Sequence, residues 1–164
     1  MDQPPPDSVR HAERLGHADA AGAMVMASSI WRIGSLLTTY VTSRIDIADL
    51  QLGEAEVLMA TRVRDGQLTT PGDLRTQLNL TSAGITKRID QVEARGLIER
   101  RPHPTDRRSV TLHLTPDGET LADETIGAVA TAMADLTSDM LAPDEIDQLN
   151  ATLAKVMDRL AEGP

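Results

Sequence analysis

The chain has 164 residues, a net charge of −9 and a pI of about 4.8, which is long enough for one domain with a full core and additional helices. It holds no cysteine, which excludes disulfides, thiolate metal sites and thiol redox sensing; with one Trp, one Tyr and no Phe, aliphatic side chains and Met must fill the core. No apolar run approaches the roughly 18–20 residues that span a bilayer, and the opening MDQPPPDS has no export pattern, so a soluble, cytoplasmic protein without membrane contact is expected.

Residues 1–8 are Pro-rich and polar, and the first 18 residues are expected to form a flexible arm. From about Asp19 to Ile47, Met24, Ile30, Ile33, Leu37, Tyr40, Val41 and Ile45 fall at helical spacings. Leu52-Gly53 interrupts that pattern, and Glu54–Arg64 predicts a second helix with Val57 and Leu58 inward and acidic residues in its first turn. Thr70-Pro71 is an N-cap followed by Pro at the first helical position, opening a short helix that ends at Asn79, a residue that tolerates a left-handed turn. Thr81 caps the next helix, which stops at Gly96 and carries Ile85, Ile89 and Val92 as its buried stripe. Two short alternating runs, Leu97–Glu99 and Val110–Leu114, predict a hairpin around a proline-stiffened loop. Thr115-Pro116 starts a long helix to about Leu141, and Ala142-Pro143 separates it from a last helix. There Ile146, Leu149, Leu153, Val156 and Leu160 follow the three- and four-residue steps of a coiled-coil seam.

Helix, tight turn, helix and hairpin in that order make a winged helix-turn-helix, expected over residues 52–115. Helices in 19–48 and 116–164 are left to build a dimerisation region, so the fold class is mainly α with a small β-hairpin wing. The charge distribution agrees. Residues 62–113 hold ten Lys/Arg against six Asp/Glu, while the remainder holds six against nineteen. Phosphate attraction acts over about a Debye length, roughly 8–10 Å, so a local basic strip can bind DNA on an acidic chain.

With Ile85, Ile89 and Val92 inward, the helix after Thr81 presents Ser82, Ala83, Thr86, Lys87 and Asp90, with Arg88 and Gln91 on the flanks. Lys and Arg pair with guanine acceptors, and Thr or Ala can touch a thymine methyl, so this face is expected to read base edges in a major groove. The loop between the strands carries Arg100, Arg101, Arg107 and Arg108. Arg107 and Arg108 at its tip suit a narrow minor groove. Asp106 is expected to orient a neighbouring guanidinium through a bidentate pair. A solvated helix face and a surface salt-bridge cluster are the bland alternatives to these two readings.

The segment from Leu68 to Gly118 resembles the winged helix-turn-helix of the MarR family of bacterial regulators. The resemblance rests on Asp106-Arg107-Arg108, the strand Val110–Leu114, Thr115 and Gly118, and on the Glu93–Arg100 junction, and extends over about residues 20–160. It implies a triangular homodimer whose two wings and recognition helices meet successive grooves of a pseudo-palindromic DNA operator. In that arrangement Ser82, Ala83, Thr86 and Lys87 face bases and Arg108 enters the minor groove. It also implies a regulator, expected to be a repressor, released by a small aromatic or anionic effector. Gly84 and Gln91 depart from the residues usual in the family, so the sequence read is expected to be the protein's own.

Trp31 and Tyr40, with Arg32 and Arg44 nearby, are the candidate walls and anion anchors of an effector pocket; Trp31 as plain dimer core is the competing reading. His11, His17, His103 and His113 lack metal-ligand spacing, so neither metal nor other cofactor is expected. No phosphate loop or nucleophile motif supports an enzyme. The rival to DNA is a winged helix that recruits an acidic protein.

Overall fold

The computed structural model describes residues 7–44, 50–64, 66–138 and 140–162, and the chain divides into two compact units, Met1–Arg44 and Ile45–Pro164. In the first, α1 (Asp7–Arg14) replaces most of the expected flexible arm. Its Val9 and Ala12 are buried, and α1 packs on α2 (Ala21–Arg44) after a single 3₁₀ turn at Ala18–Ala20. Two small apolar residues three apart on one helix face are enough to dock it, a signal hidden by the prolines before it. Ile45 and Ile47, placed in the same helix by spacing, lie outside the described residues.

The expectation about membrane-length segments needs correction at α2. The 27 residues Ala18–Arg44 contain an 18-residue window of mean hydropathy 1.3, apolar and long enough to cross a bilayer by length and composition alone. The scattered Ser and Thr that break the apolar run to the eye donate to carbonyls of their own helix, as Ser28 does to Met24 and Thr38 to Gly34. Arg32 in the middle of the helix argues against lipid, since a cation at a bilayer centre costs about 2.5–3.5 kcal/mol on insertion scales.

The second unit begins with α3 (Leu52–Arg62), followed by α4 (Pro71–Gln77) and α5 (Ser82–Ala94). The buried Glu54 carboxylate accepts from the Gln51 backbone N–H at 2.8 Å and from Arg95 at 3.0 Å, tying the start of α3 to the end of α5. Thr70 and Asp73 form a reciprocal capping box on α4. Asn79 at φ 49° and Gly96 at φ 71° take the left-handed conformation that ends α4 and α5. The turn between the two helices is therefore as tight as the sequence predicts.

Val57, Leu58, Leu74, Ile85, Ile89 and Val92 form the core with Ile98 and Leu112 of the hairpin and Leu121 and Ala122 of the next helix. The antiparallel strands are β1 (Ile98–Pro102) and β2 (Val110–Leu114), in register from Ile98 opposite Leu114 to Pro102 opposite Val110. The Leu112 amide donates to the Thr69 carbonyl at 2.8 Å, so the segment before α4 adds one rung to the sheet.

α6 (Pro116–Ser138) is joined to the hairpin through Thr115, whose amide donates to the Leu97 carbonyl and whose hydroxyl donates to the Gly96 carbonyl. Gly118 lies directly over Leu97: a Cβ there would stand 1.9 Å from the Leu97 carbonyl oxygen. α7 (Pro143–Ala161) has no buried residue, and its apolar seam faces solvent in the single chain, with Leu160 76% exposed and Met157 62% exposed.

The α4 cap yields an acid-stability prediction. The Thr70 hydroxyl and amide hold the Asp73 carboxyl below its usual range, helped by Arg64 and His103 and opposed by desolvation. A carboxyl with a lowered folded pKa stabilises the fold above its unfolded pKa, and that contribution is lost as pH falls through the folded value. Urea unfolding of the wild type should therefore weaken on going from about pH 6 to about pH 3. Asp73→Asn should show a smaller loss over the same window, and equal slopes would remove Asp73 from the acid transition.

Candidate nucleic-acid interface

The α5 periodicity predicted from sequence is realised. Ile85, Ile89 and Val92 are buried, and Ser82, Ala83, Thr86, Lys87, Asp90 and Gln91 are exposed and line one continuous shallow surface. Thr81 accepts the Gly84 amide at 3.1 Å with its hydroxyl oxygen, which leaves the hydroxyl proton available to an outside acceptor. The Thr86 hydroxyl donates back to the Ser82 carbonyl at 2.9 Å. Arg88 is not on this surface. It is half-buried against α3, pairs with Glu56, and its guanidinium lies against Gly53. The absent Gly53 side chain makes room for that pair.

The wing differs from its expected form in two ways. β1 runs on through Arg100, Arg101 and Pro102, so Arg100 and Arg101 belong to the strand and only Arg107 and Arg108 stand at the tip. Strand pairing with Val110–Leu114 overrides the loop signal of the prolines, because Pro102 is the last strand residue. Asp106 meets no guanidinium; its Oδ1 accepts the Arg108 backbone N–H at 3.0 Å, a turn the acid makes with the chain two residues on. The His103 ring, which no sequence pattern singles out, also organises the tip, since its Nδ1 accepts the Asp106 amide at 3.1 Å and the Thr105 amide at 3.3 Å.

Ion pairing sorts the cations of the basic strip. Arg88 pairs with Glu56, Arg95 with Glu54, Arg101 with Glu99, and Arg100 bridges Asp90 and Glu93 of α5. Among the described residues Arg75, Lys87, Arg107 and Arg108 make no ion pair, and all four are exposed. Arg75 sits on α4, the helix that crosses the DNA backbone in helix-turn-helix docking; its place on the polar face of a short helix is the sequence signal that could have found it. Arg100 has a second consequence. It neutralises Asp90, the one carboxylate on the α5 surface, that would otherwise repel phosphate.

On α2, Tyr40 and Arg44 meet, with the guanidinium 4.7 Å from the ring centroid. Trp31 is 83% exposed and Arg32 is exposed. Nine residues separate Trp31 from Tyr40, about 180° around an α-helix, so the two aromatics lie on opposite faces and do not share one wall. His113 meets the Thr111 hydroxyl at 2.9 Å, while His11 and His17 are exposed near α1. No group of three or more His, Asp or Glu converges on a metal-sized site among the described residues.

Comparison with known proteins agrees with this geometry. A model of the MarR family matches residues 48–109. The multiple antibiotic resistance protein MarR of Salmonella typhimurium is 30% identical over 122 residues, which are 74% of this chain and 81% of that protein. A crystal structure of mutant MarR from E. coli complexed with operator DNA aligns with a TM-score of 0.72 at 23% identity, covering 84% of this chain and 96% of that one. Bordetella bronchiseptica BpsR, whose DNA binding is regulated by 6-hydroxynicotinic acid, aligns with a TM-score of 0.69 at 23% identity, covering 80% and 92%. At these identities the two structures establish the likeness of fold.

Proposed function

The chain belongs to the MarR family, a family of DNA-binding transcriptional regulators rather than enzymes, and on that premise we propose that it represses transcription as a homodimer on a pseudo-palindromic operator and is released by a small ligand. The observation that carries the reading is the set of unpaired cations. Lys87 on the α5 surface and Arg107 and Arg108 on the wing are left without carboxylate partners in a chain of net charge −9, while the neighbouring arginines are all paired. Lys87 reads a guanine, Ala83 and Thr86 contact thymine methyls, Ser82, Thr81 and Gln91 bond phosphate or base edges, and Arg75 holds backbone. Arg108 enters the minor groove and Arg107 holds phosphate. Arg88 is assigned to the fold rather than to DNA.

One winged domain offers a small interface, and typical specific affinities of about 10⁻⁸–10⁻¹¹ M come from two. The unpartnered seam of α7 and the exposed Trp31, Ile33 and Leu36 of α2 are the surfaces assigned to the second copy. Burial in that partner, not in lipid, accounts for the apolar length of α2, and a cytoplasmic location goes with a DNA target.

The test is a gel shift on the promoter DNA upstream of the protein's own gene, run against salt, beside sedimentation of the free protein. A dimer that retains that DNA over scrambled sequence, with affinity falling linearly in log salt, is expected. Sequence-independent retention, or capture only of acidic protein, refutes the regulator reading; a monomer at binding concentrations refutes the dimer.

A further inference from the structure

A cavity of about 430 Å³ opens at the base of the wing, between the end of α3, residues 66–69, the hairpin and the start of α6. Its volume lies within the range of small-molecule sites, about 300–1,000 Å³. None of the four α2 residues expected to bind an effector lines it. Its walls have two characters. Arg62, Arg64, Arg101 and His113 supply cationic or hydrogen-bonding groups, and Leu68, Leu112 and Leu114 supply apolar surface. Leu68 is half-exposed at the mouth, an unusual place for a leucine in a polar segment without something to cover it.

The cations are not equivalent. Arg62 grips both oxygens of Asp123, at 2.7 and 2.9 Å, and forms a fixed part of the wall. Arg101 pairs with Glu99. Arg64 is held loosely: 3.3 Å to the Thr69 hydroxyl and 3.8 Å to Asp73, both longer than a good charge-assisted bond. It is the guanidinium that can turn to a ligand at least cost. Glu119 on the rim sets an upper limit to the negative charge accepted, because a dianion would meet its carboxylate.

We propose that this cavity binds a small apolar monocarboxylate, with Arg64 as the anchoring cation and Leu68 closing over the apolar body. The binding site stands on the geometry alone; its effect on DNA rests on the regulator reading. The route for that effect is short. Arg64 leaves Asp73, the acid of the α4 capping box, and Thr69 joins the same segment to β2 through the Leu112 amide. A ligand that takes Arg64 thus loosens the start of α4 and the root of the wing together.

Benzoate, its neutral isostere benzamide and inorganic phosphate are the probes, titrated into the full-length protein without DNA and followed by amide NMR. Benzoate should give saturable shifts at Leu68, Thr69, Leu112 and His113 within about 10 mM, the range expected of a fragment-sized ligand. Benzamide should bind about tenfold more weakly or worse, and phosphate should leave these resonances unmoved. Arg64→Gln and the exposed substitution Leu68→Asp should each weaken benzoate by about tenfold or more while keeping a dispersed spectrum. Benzamide equal to benzoate, phosphate in its place, shifts on α2 instead, or unchanged affinity in both variants would each overturn the site. A separate gel shift with and without benzoate reads the DNA effect. Benzoate binding with no change in DNA retention would retain the site and refute the coupling; no retention of DNA by the free protein would refute the regulator reading alone.

Discussion

Gly118→Ala is expected to unfold the second unit or to lower its stability by more than about 3 kcal/mol, the upper part of the range for overpacked sites. The added methyl would lie 1.9 Å from the Leu97 carbonyl oxygen, which accepts the Thr115 amide and cannot turn aside as a side chain could. Relief requires α6 to lift from the Gly96–Leu97 turn, which would break the Thr115 hydroxyl bond to Gly96 and unpack Leu121 and Ala122. Thermal unfolding should show a fall of about 10 °C or more for a unit of this size. Gly127→Ala is the control. It lies in the same helix with nothing within 4 Å of its added Cβ, and should change little or stabilise slightly. Equal behaviour of the two variants would show that the approach of α6 to Leu97 is not needed for folding.

The second large effect is on DNA. Arg108→Ala should weaken operator binding by about 10- to 100-fold, or roughly 1.4–2.8 kcal/mol, and reduce the log–log salt slope by about 1 for each phosphate charge that the wings no longer neutralise. Arg101→Ala, only seven positions earlier in a sequence rich in arginine, should cost about twofold or less, because that guanidinium already pairs with Glu99. Fluorescence polarisation across a salt series separates the two. If Arg101→Ala weakens binding as much as Arg108→Ala, local charge density rather than placement at the tip governs the wing.

The contrast between those two arginines marks how far the sequence can be read. Element order, the buried stripe Ile85, Ile89 and Val92, the Thr70 and Thr81 caps and the left-handed Asn79 are all legible, because each follows from periodicity or from chemistry within about four residues. α1 is not, because two small buried residues leave almost no hydrophobic signal beside a run of prolines. β1 is longer than its sequence suggests, because Pro102 reads as a breaker until its partner Val110 is in place. The membrane-length character of α2 is hidden in the same way, since its hydroxyls look polar in sequence but bond within the helix.

The candidate interface divides along the same line. The face Ser82, Ala83, Thr86, Lys87, Asp90 and Gln91 follows from helical geometry, and the sequence by itself determined it. Which cations remain for DNA was decided by the tertiary structure. Arg88 is taken by Glu56 from another helix, Arg95 by Glu54, and Arg100 by Asp90 and Glu93, ten and seven residues away, while the Asp106 carboxylate turns to a backbone amide and leaves its neighbouring arginines alone. Helical and strand periods depend only on local backbone geometry. An ion pair depends on the distance between charges, and that distance is set when the chain packs.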